Sequence, residues 1–275
     1  MSKALVEYDK KGPVAYICLN RPHRHNAINP QMMRELASIW ADFALDRELR
    51  VAVLHGAGPS FCSGMDMKDT HPGFGYRSRD TASEEEYDKA RRFEALPGER
   101  RRMNYVPPVD LAKPIVGALH GRVSGGGLEL ALYCDVRIAA DTTTFAAPEV
   151  TRGIVPGSGA MYWLPRVIGL GRAMEWLLTG DTMSCDEARA SGLVNAIASK
   201  EALLEVAAER ATRIARNAPL AVQAIKETVY RSLHASLAEG MNISEHQARV
   251  LRMTEDYEEG FRAFTEKRNP DFRGR

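Results

Sequence analysis

The chain has little cysteine and no pattern in what it has. Cys18, Cys62, Cys134 and Cys185 are widely separated, which excludes a disulfide framework and paired metal knuckles. Thiols in such apolar or compact-turn settings are expected to stay reduced, as in the cytosol. No apolar run approaches the roughly 20 residues of a membrane span. The stretch Met1–Asp9 shows neither an apolar signal segment nor an arginine-rich, acid-poor transit character, so a cytoplasmic location is the expectation. A dominant charge is missing too. Lys and Arg number 37 against 36 Asp and Glu, a net +1, so no global basic field favours nucleic acid. His23, His25, His55 and His71 show no zinc-ligand spacing; they are expected on the surface or in loops, and no metal is expected.

Two catalytic signatures are also absent. A nucleophile elbow needs Gly-x-Ser-x-Gly. Ser124 has Gly121 three residues before it, and Ser158 has Pro156 where glycine should stand. The run Gly125–Gly127 lacks the Gly-x-Gly-x-x-Gly register of a dinucleotide-binding turn. What remains is an ordinary globular composition, 44% hydrophobic and 27% charged, over 275 residues. That length suits one substantial core plus an appendage.

Two glutamates stand out, each beside a backbone feature able to aim it. Glu129 ends Val123-Ser124-Gly125-Gly126-Gly127-Leu128-Glu129, a glycine run opening an apolar helix. Glu149 follows Phe145-Ala146-Ala147-Pro148 and precedes Gly153-Ile154-Val155-Pro156-Gly157. One helix and one strand separate them, so the two carboxylates can face each other across a pocket, as general acid/base chemistry requires. Glycine lets a ligand approach the main chain closely, and the first amides of a helix lack intrahelical partners. Such a turn is suited to hold a developing oxyanion. The competing interpretation is a structural glycine turn beside two ordinary acids.

A second glycine turn, Ser60-Phe61-Cys62-Ser63-Gly64-Met65-Asp66-Met67-Lys68, follows the apolar run Val51–Leu54. Together with the two glutamate motifs it resembles the enoyl-CoA hydratase/isomerase (crotonase) family. The resemblance covers nearly the whole chain. It begins at Leu19-Asn20-Arg21-Pro22 and Asn26-Ala27-Ile28-Asn29, and continues through Lys113-Pro114-Ile115-Val116-Gly117-Ala118-Leu119-His120-Gly121. It closes at Leu178-Thr179-Gly180-Asp181, Ala190-Ser191-Gly192-Leu193-Val194 and Phe264-Thr265-Glu266-Lys267-Arg268.

The resemblance implies an α/β fold, a crotonase-like spiral of ββα units over 1–195 carrying the acyl-CoA site. A helical oligomerisation region over 196–275 would build a homotrimer or a hexamer. It implies that the Met65 and Gly126 amides form an oxyanion hole for a thioester carbonyl. Glu129 would help position and deprotonate water, and Glu149 would exchange a proton at the α carbon. Gly157 would help hold the reacting water. Arg24, Asp66, Met67 and Lys68 match positions around the CoA groove. Phe264 and Lys267 match a pair that reaches the CoA of a neighbouring subunit. The implied substrate is an acyl-CoA thioester, with no separate cofactor. Retention of both glutamates favours hydration over isomerisation, which can use one carboxylate. Lyases, hydrolases and decarboxylases share the same oxyanion device, and a non-catalytic RNA-binding protein on this fold is a remote alternative.

Local patterns agree with repeated strand-and-helix units. Val14–Leu19, Val51–His55, Ile115–Leu119, Val136–Ala139 and Val194–Ile197 are expected as strands. Asn29 and Pro30 cap a helix over Met32–Phe43, and Ser184 to Glu187 form a capping box. Four amphipathic helices are expected at Ala202–Asn217, Leu220–Leu233, Leu237–Met253 and Tyr257–Lys267. Two stretches depart from the family pattern. Residues 70–110 are longer than in simple members, with a charged helical Ser83–Leu96, the basic run Arg100–Arg102, and aromatic Phe74, Tyr76 and Tyr105 expected to shape the acyl pocket or, equally, to form a solvated loop. After Gly157, the bulky Met161, Tyr162 and Trp163 are expected in the core.

Overall fold

In a computed structural model that describes residues 4–68 and 105–275, the short apolar runs form two sheets of different size. The larger has the order β1 (Val6–Lys11), β2 (Val14–Leu19), β3 (Val51–Gly56), β4 (Ile115–Leu119), β6 (Val136–Ala140), β9 (Ala196–Ala198). The smaller is β5 (Arg122–Ser124), β7 (Thr144–Ala146), β8 (Thr182–Ser184). Among the described residues the helices are α1 (Pro30–Leu45), α2 (Gly126–Leu132), α3 (Ala160–Ile168), α4 (Leu170–Thr179), α5 (Cys185–Ala190), α6 (Leu203–Ala215), α7 (Pro219–Ser232), α8 (Leu237–Leu251) and α9 (Glu255–Glu266). The chain visits the large sheet, then the small one, then a helix: β4, β5, α2 is one such ββα turn.

In the large sheet β1 pairs antiparallel with β2, and β2, β3, β4, β6 and β9 run parallel. Parallel strands are covered on both faces, which is why β3 and β4 are apolar almost throughout. Alternation then sorts the side chains. Ile17, Leu19, Leu54, Ile115 and Leu119 join the main core with α1 and α2. Val14, Val51, Val53, Val116 and Ile138 face the other way, onto Leu203, Ala207, Ala211 and Ala215 of α6. The four-residue spacing of those three alanines puts small side chains in one row, where the helix can approach the sheet closely.

Helix starts follow the expected chemistry. The Asn29 side chain accepts the Met32 N–H at 3.0 Å with Pro30 in the first turn, and Ser184 and Glu187 form a reciprocal capping box. One strand differs: pairing begins at Ala196, not Val194, because the Val194 N–H closes onto Ala188 O and only Asn195 onward reaches β6. His55 also differs, standing half-buried on β3 instead of in a loop. Beyond residue 195, β9 pairs with β6 and α6 packs on the large sheet. Beyond them, α7 is tied to the core through Asp135, which accepts from Lys226 Nζ at 2.8 Å, Tyr230 OH at 3.0 Å and Ile115 N at 2.7 Å.

Residues 69–104, with Ser83–Leu96, Phe74, Tyr76, His71 and Arg100–Arg102, lie outside the described residues. Among the described residues no helix is long and apolar enough to cross a membrane.

Candidate active site

The two glycine turns are brought together by backbone pairing. Phe61 N donates to His120 O at 2.7 Å, Cys62 N to Arg122 O at 3.1 Å, and Ser124 N to Cys62 O at 3.1 Å. The Cys62 turn is thereby laid along β5. On its other side Ile28 N donates to Gly64 O and Asp66 N to Ile28 O, both at 2.8 Å. This parallel bridge uses the groups flanking Met65, which turns the Met65 N–H away from Ile28. Gly64 has φ of 100°, and a Cβ there would lie 2.9 Å from Ser124 O and 3.3 Å from Gly126 N. Gly125, at φ 54°, opens α2 and leaves Gly126 as its first residue, whose N–H has no intrahelical acceptor. Cys62 itself is a buried thiol pushed up to about 12, so it is no thiolate nucleophile at neutral pH.

Glu129 and Glu149 are both buried. Glu129, in the first turn of α2, accepts three hydrogen bonds: Oε1 from Ser158 N at 2.5 Å and Ala160 N at 3.2 Å, and Oε2 from Tyr105 OH at 3.0 Å. Burial pushes its carboxyl above the usual glutamate value, and these donors pull it back. Glu149 sits on a short 3₁₀ turn, Pro148–Arg152, that ends at Gly153 in the left-handed region. Its Oε1 would be 3.2 Å from a Cβ on Gly125, which places the carboxyl against the turn that opens α2. Its Oε2 is buried without a partner. Burial first, and the neighbouring Glu129 next among the raising causes, push the Glu149 carboxyl up. Two inequivalent carboxyls beside two glycine turns can divide holding and proton exchange between them.

Gly157 lies beside this pair on an open cavity of about 600 Å³ lined by Trp40, Val106, Pro107, Pro108, Tyr133 and Ser158 among others. A Cβ on Gly157 would touch nothing within 4 Å. Ser158 Oγ is buried without a well-formed hydrogen bond, although it lies near Tyr105 and Glu129.

The other expected residues divide. Arg24 is exposed, and Ser63 N donates to the neighbouring His25 O at 3.0 Å, which keeps that short turn beside the Cys62 loop. Met67 and Lys68 are exposed at the end of the same loop. Asp66 is different. It is buried, and its carboxylate meets Arg21 at 2.6 Å, while Arg21 also donates to Ala27 O at 3.0 Å. Asp66 therefore braces the loop through Arg21. Phe264 and Lys267, on and just after α9, are not brought to the glutamates; Phe264 lines a separate apolar groove with Leu220, Leu251, Tyr257, Phe261 and Phe272.

Three side-chain expectations change. Tyr105 is not a pocket wall: it is fully buried and gives its hydroxyl to Glu129. Met161 is half exposed, not core. Trp163 is partly buried in an edge-to-face cluster with Tyr133, Tyr162 and Tyr230, clamping α3 to the end of α2 and to α7. The contacts of Tyr105 and Ser158 with Glu129 had no local sequence signal, because they join segments 24 and 29 residues apart.

Known proteins resemble this chain over its length. Residues 9–275 match the family described as enoyl-CoA hydratase/isomerase. A protein of Thauera aromatica named (E)-benzylidenesuccinyl-CoA hydratase is 39% identical over 262 residues, 95% of this chain and 96% of that one. A probable enoyl-CoA hydratase of Rhizobium meliloti is 36% identical over the full length of both. The crystal structure of an enoyl-CoA hydratase from Bacillus anthracis superposes with a TM-score of 0.85 at 34% identity, covering 98% of this chain and 100% of that one. The chain belongs to the enoyl-CoA hydratase/isomerase family and has the crotonase fold.

Proposed function

We propose that the protein is an enoyl-CoA hydratase, adding water reversibly across the 2,3 double bond of an acyl-CoA thioester. The observation that carries this is the pair of buried, inequivalent carboxyls against one glycine turn: Glu129 saturated with donors, Glu149 with a free oxygen. An isomerase needs only one carboxyl that picks up a proton and returns it.

In the reaction, the thioester oxygen accepts from the Met65 and Gly126 amides, which draws electron density from the conjugated double bond and leaves the β carbon electrophilic. Water, oriented by Glu129 and the Gly157 amide, forms its C–O bond there and gives up one proton to a glutamate. The π electrons move toward the thioester oxygen, and the α carbon then takes a proton from Glu149. The water O–H bond and the C=C π bond are exchanged for one C–O and one C–H bond, and the proton that water gives to a glutamate makes good the one that Glu149 delivers. A lost oxyanion donor costs roughly 3–4 kcal/mol of barrier, and a positioned proton-transfer group is worth on the order of 10²–10⁴ in rate. The step as written needs no further cofactor, since CoA enters with the substrate. The exposed cations Arg24 and Lys68, with Met67 beside Lys68, support binding of its anionic part near the Cys62 loop.

Trp40, Tyr133 and the prolines of the cavity suit an apolar, ring-bearing acyl group, and the relative from Thauera aromatica is named for such a thioester. The exposed Val229, Leu237, Met241, Phe261 and Phe264 of α7 to α9 support burial against further copies of the chain, as a trimer or hexamer. Four buried, unpaired thiols support a reducing, cytoplasmic setting.

The test is incubation with 2-enoyl-CoA and 3-enoyl-CoA thioesters, (E)-benzylidenesuccinyl-CoA included, in heavy water with mass-spectrometric readout. Water gain with deuterium at the α carbon is expected. Double-bond migration without water makes the protein an isomerase instead.

A further inference from the structure

Tyr105 does more than fill space. Its ring is fully buried, and its carbonyl accepts from Trp40 Nε1 of α1 at 3.0 Å, which fixes the residue against the core. Its hydroxyl reaches the start of α2, where a Cβ on Gly126 would come within 3.1 Å of it. There it donates to Glu129 Oε2 at 3.0 Å, while Oε1 takes the Ser158 and Ala160 amides. Every oxygen of Glu129 is thus occupied, and Glu149 keeps a buried oxygen with no partner.

We propose that Tyr105 is a positioning residue for Glu129. Its phenol completes a three-donor clamp that holds Glu129 as a fixed acceptor and leaves Glu149 as the carboxyl that exchanges the proton. The inference rests on the hydratase function given above and adds a positioning residue to it.

The chemistry of the donors supports the assignment. Hydrogen bonds to an ionised acceptor are short and roughly twice as strong as neutral ones. Each such bond favours the ionised form and works against the upward push of burial. The Tyr105 phenol is itself pushed well up by burial and by Glu129, so it remains a neutral donor across the working pH range. Four titratable groups among the described residues act around this clamp: Tyr105, Tyr133 at the end of α2, Glu149 on its 3₁₀ turn, and Cys62, which faces Tyr105. Of these only Glu149 is a carboxyl, and burial and Glu129 push it upward. The three donors thus oppose the upward push of burial on Glu129, while Glu149, with no donor on Oε2, is pushed up by burial and by Glu129.

Tyr105→Phe keeps the ring and removes the donor. Two readouts are needed, one of them independent of turnover. Carbon-13 NMR of labelled glutamate, with the Glu129 resonance assigned from Glu129→Gln, follows the carboxyl titration in the free protein. The Glu129 titration is expected to move to higher pH in Tyr105→Phe. In the hydration assay kcat should fall on the order of 10–100-fold with little change in KM, and the acid limb of the kcat profile should move up with the NMR titration. An unmoved titration overturns the proposal, including the case where kcat falls, because packing alone would then explain the loss. Should Tyr105→Phe fail to fold, Trp40→Phe, which frees the Tyr105 carbonyl, must move the titration in the same direction, and no movement overturns the proposal. If the wild type hydrates no thioester but the titration moves, the clamp stands and the hydratase function fails.

Discussion

Gly127→Ala tests whether the distance between the two glycine turns controls the chemistry. A Cβ at Gly127 would stand 2.3 Å from Cys62 O, 2.8 Å from Cys62 Cβ and 2.9 Å from Cys62 C. Two of these three are backbone atoms, so no side-chain rotation relieves the overlap. Cys62 cannot retreat either, because its N–H and carbonyl are both paired with β5. The start of α2 must lift until the closest contact passes 3.0 Å, most of an ångström of movement. Alanine favours a helix over glycine by up to about 1 kcal/mol, whereas overpacking costs about 1–3 kcal/mol. The clash wins, and the variant should be modestly less stable.

The larger effect falls on activity. Lifting α2 carries the Gly126 N–H with it and leaves Met65, held by Ile28, behind. An oxyanion donor displaced by that much loses most of its value, so kcat should fall on the order of 10²-fold. Steady-state hydration kinetics with a thermal melt on the same sample checks both parts. Gly157→Ala is the internal control, since its Cβ meets nothing within 4 Å and its φ is not in the left-handed region. Its stability should stay within about 0.5 kcal/mol of wild type. A Gly127→Ala enzyme with kcat within about threefold of wild type would refute the claim that this spacing positions the donor.

Glu149→Gln should lose on the order of 10²–10⁴ in kcat while acyl-CoA binding survives, since the carboxyl acts mainly in the transition state; equilibrium binding and turnover measured on one preparation separate the two. The same variant has a stability signature. The folded-state Glu149 titrates above its unfolded value, so the stabilisation linked to its proton is complete below the ordinary glutamate range and lost as pH rises through the raised value. Relative to wild type, Glu149→Gln should therefore gain stability as pH rises above the ordinary glutamate range, read from urea midpoints; a constant difference would show that Glu149 does not titrate upward. Asp66→Asn leaves the Arg21 charge buried beside a neutral partner and should cost about 3–5 kcal/mol in urea unfolding, and a cost under about 1 kcal/mol would make the pair dispensable.

Local physics made much of the fold legible. The strands Val14–Leu19 and Ile115–Leu119, the Asn29 cap and the Ser184 capping box depend on neighbours within a few residues, and each formed as expected. The Val194 strand slipped because the closing bond of α5 competes for its N–H, a contest settled by tertiary register. The same limit applies to the site. Glycine runs and proline turns announce where Gly64, Gly125 and Glu149 stand, since backbone shape is written locally. Asp66 looked like a ligand-facing acid in a turn; that it points inward follows only from Arg21, 45 residues earlier. Tyr105 looked like a pocket aromatic for the same reason, and only the packing of α1 and α2 turns its hydroxyl onto Glu129.

The division between local and distant information has a consequence for how this site varies. The two amide donors are placed by main-chain pairing, through Ile28, Cys62 and Val123, and by glycines that no other residue can replace without collision. Side chains around the cavity, from Val106 to Val109 and at Gly157 to Gly159, carry none of that pairing. On the proposed function, substitution among them would reshape the acyl pocket and leave the thioester grip intact. The clamp on Glu129 lies at the border between the two: its amide donors belong to the main chain after Gly157, and its third donor is a side chain. A chain without a hydroxyl at position 105 would keep two of three donors and so keep the reaction. It would work at a shifted pH, because two amides alone resist the protonation of a buried carboxyl less than two amides and a phenol do.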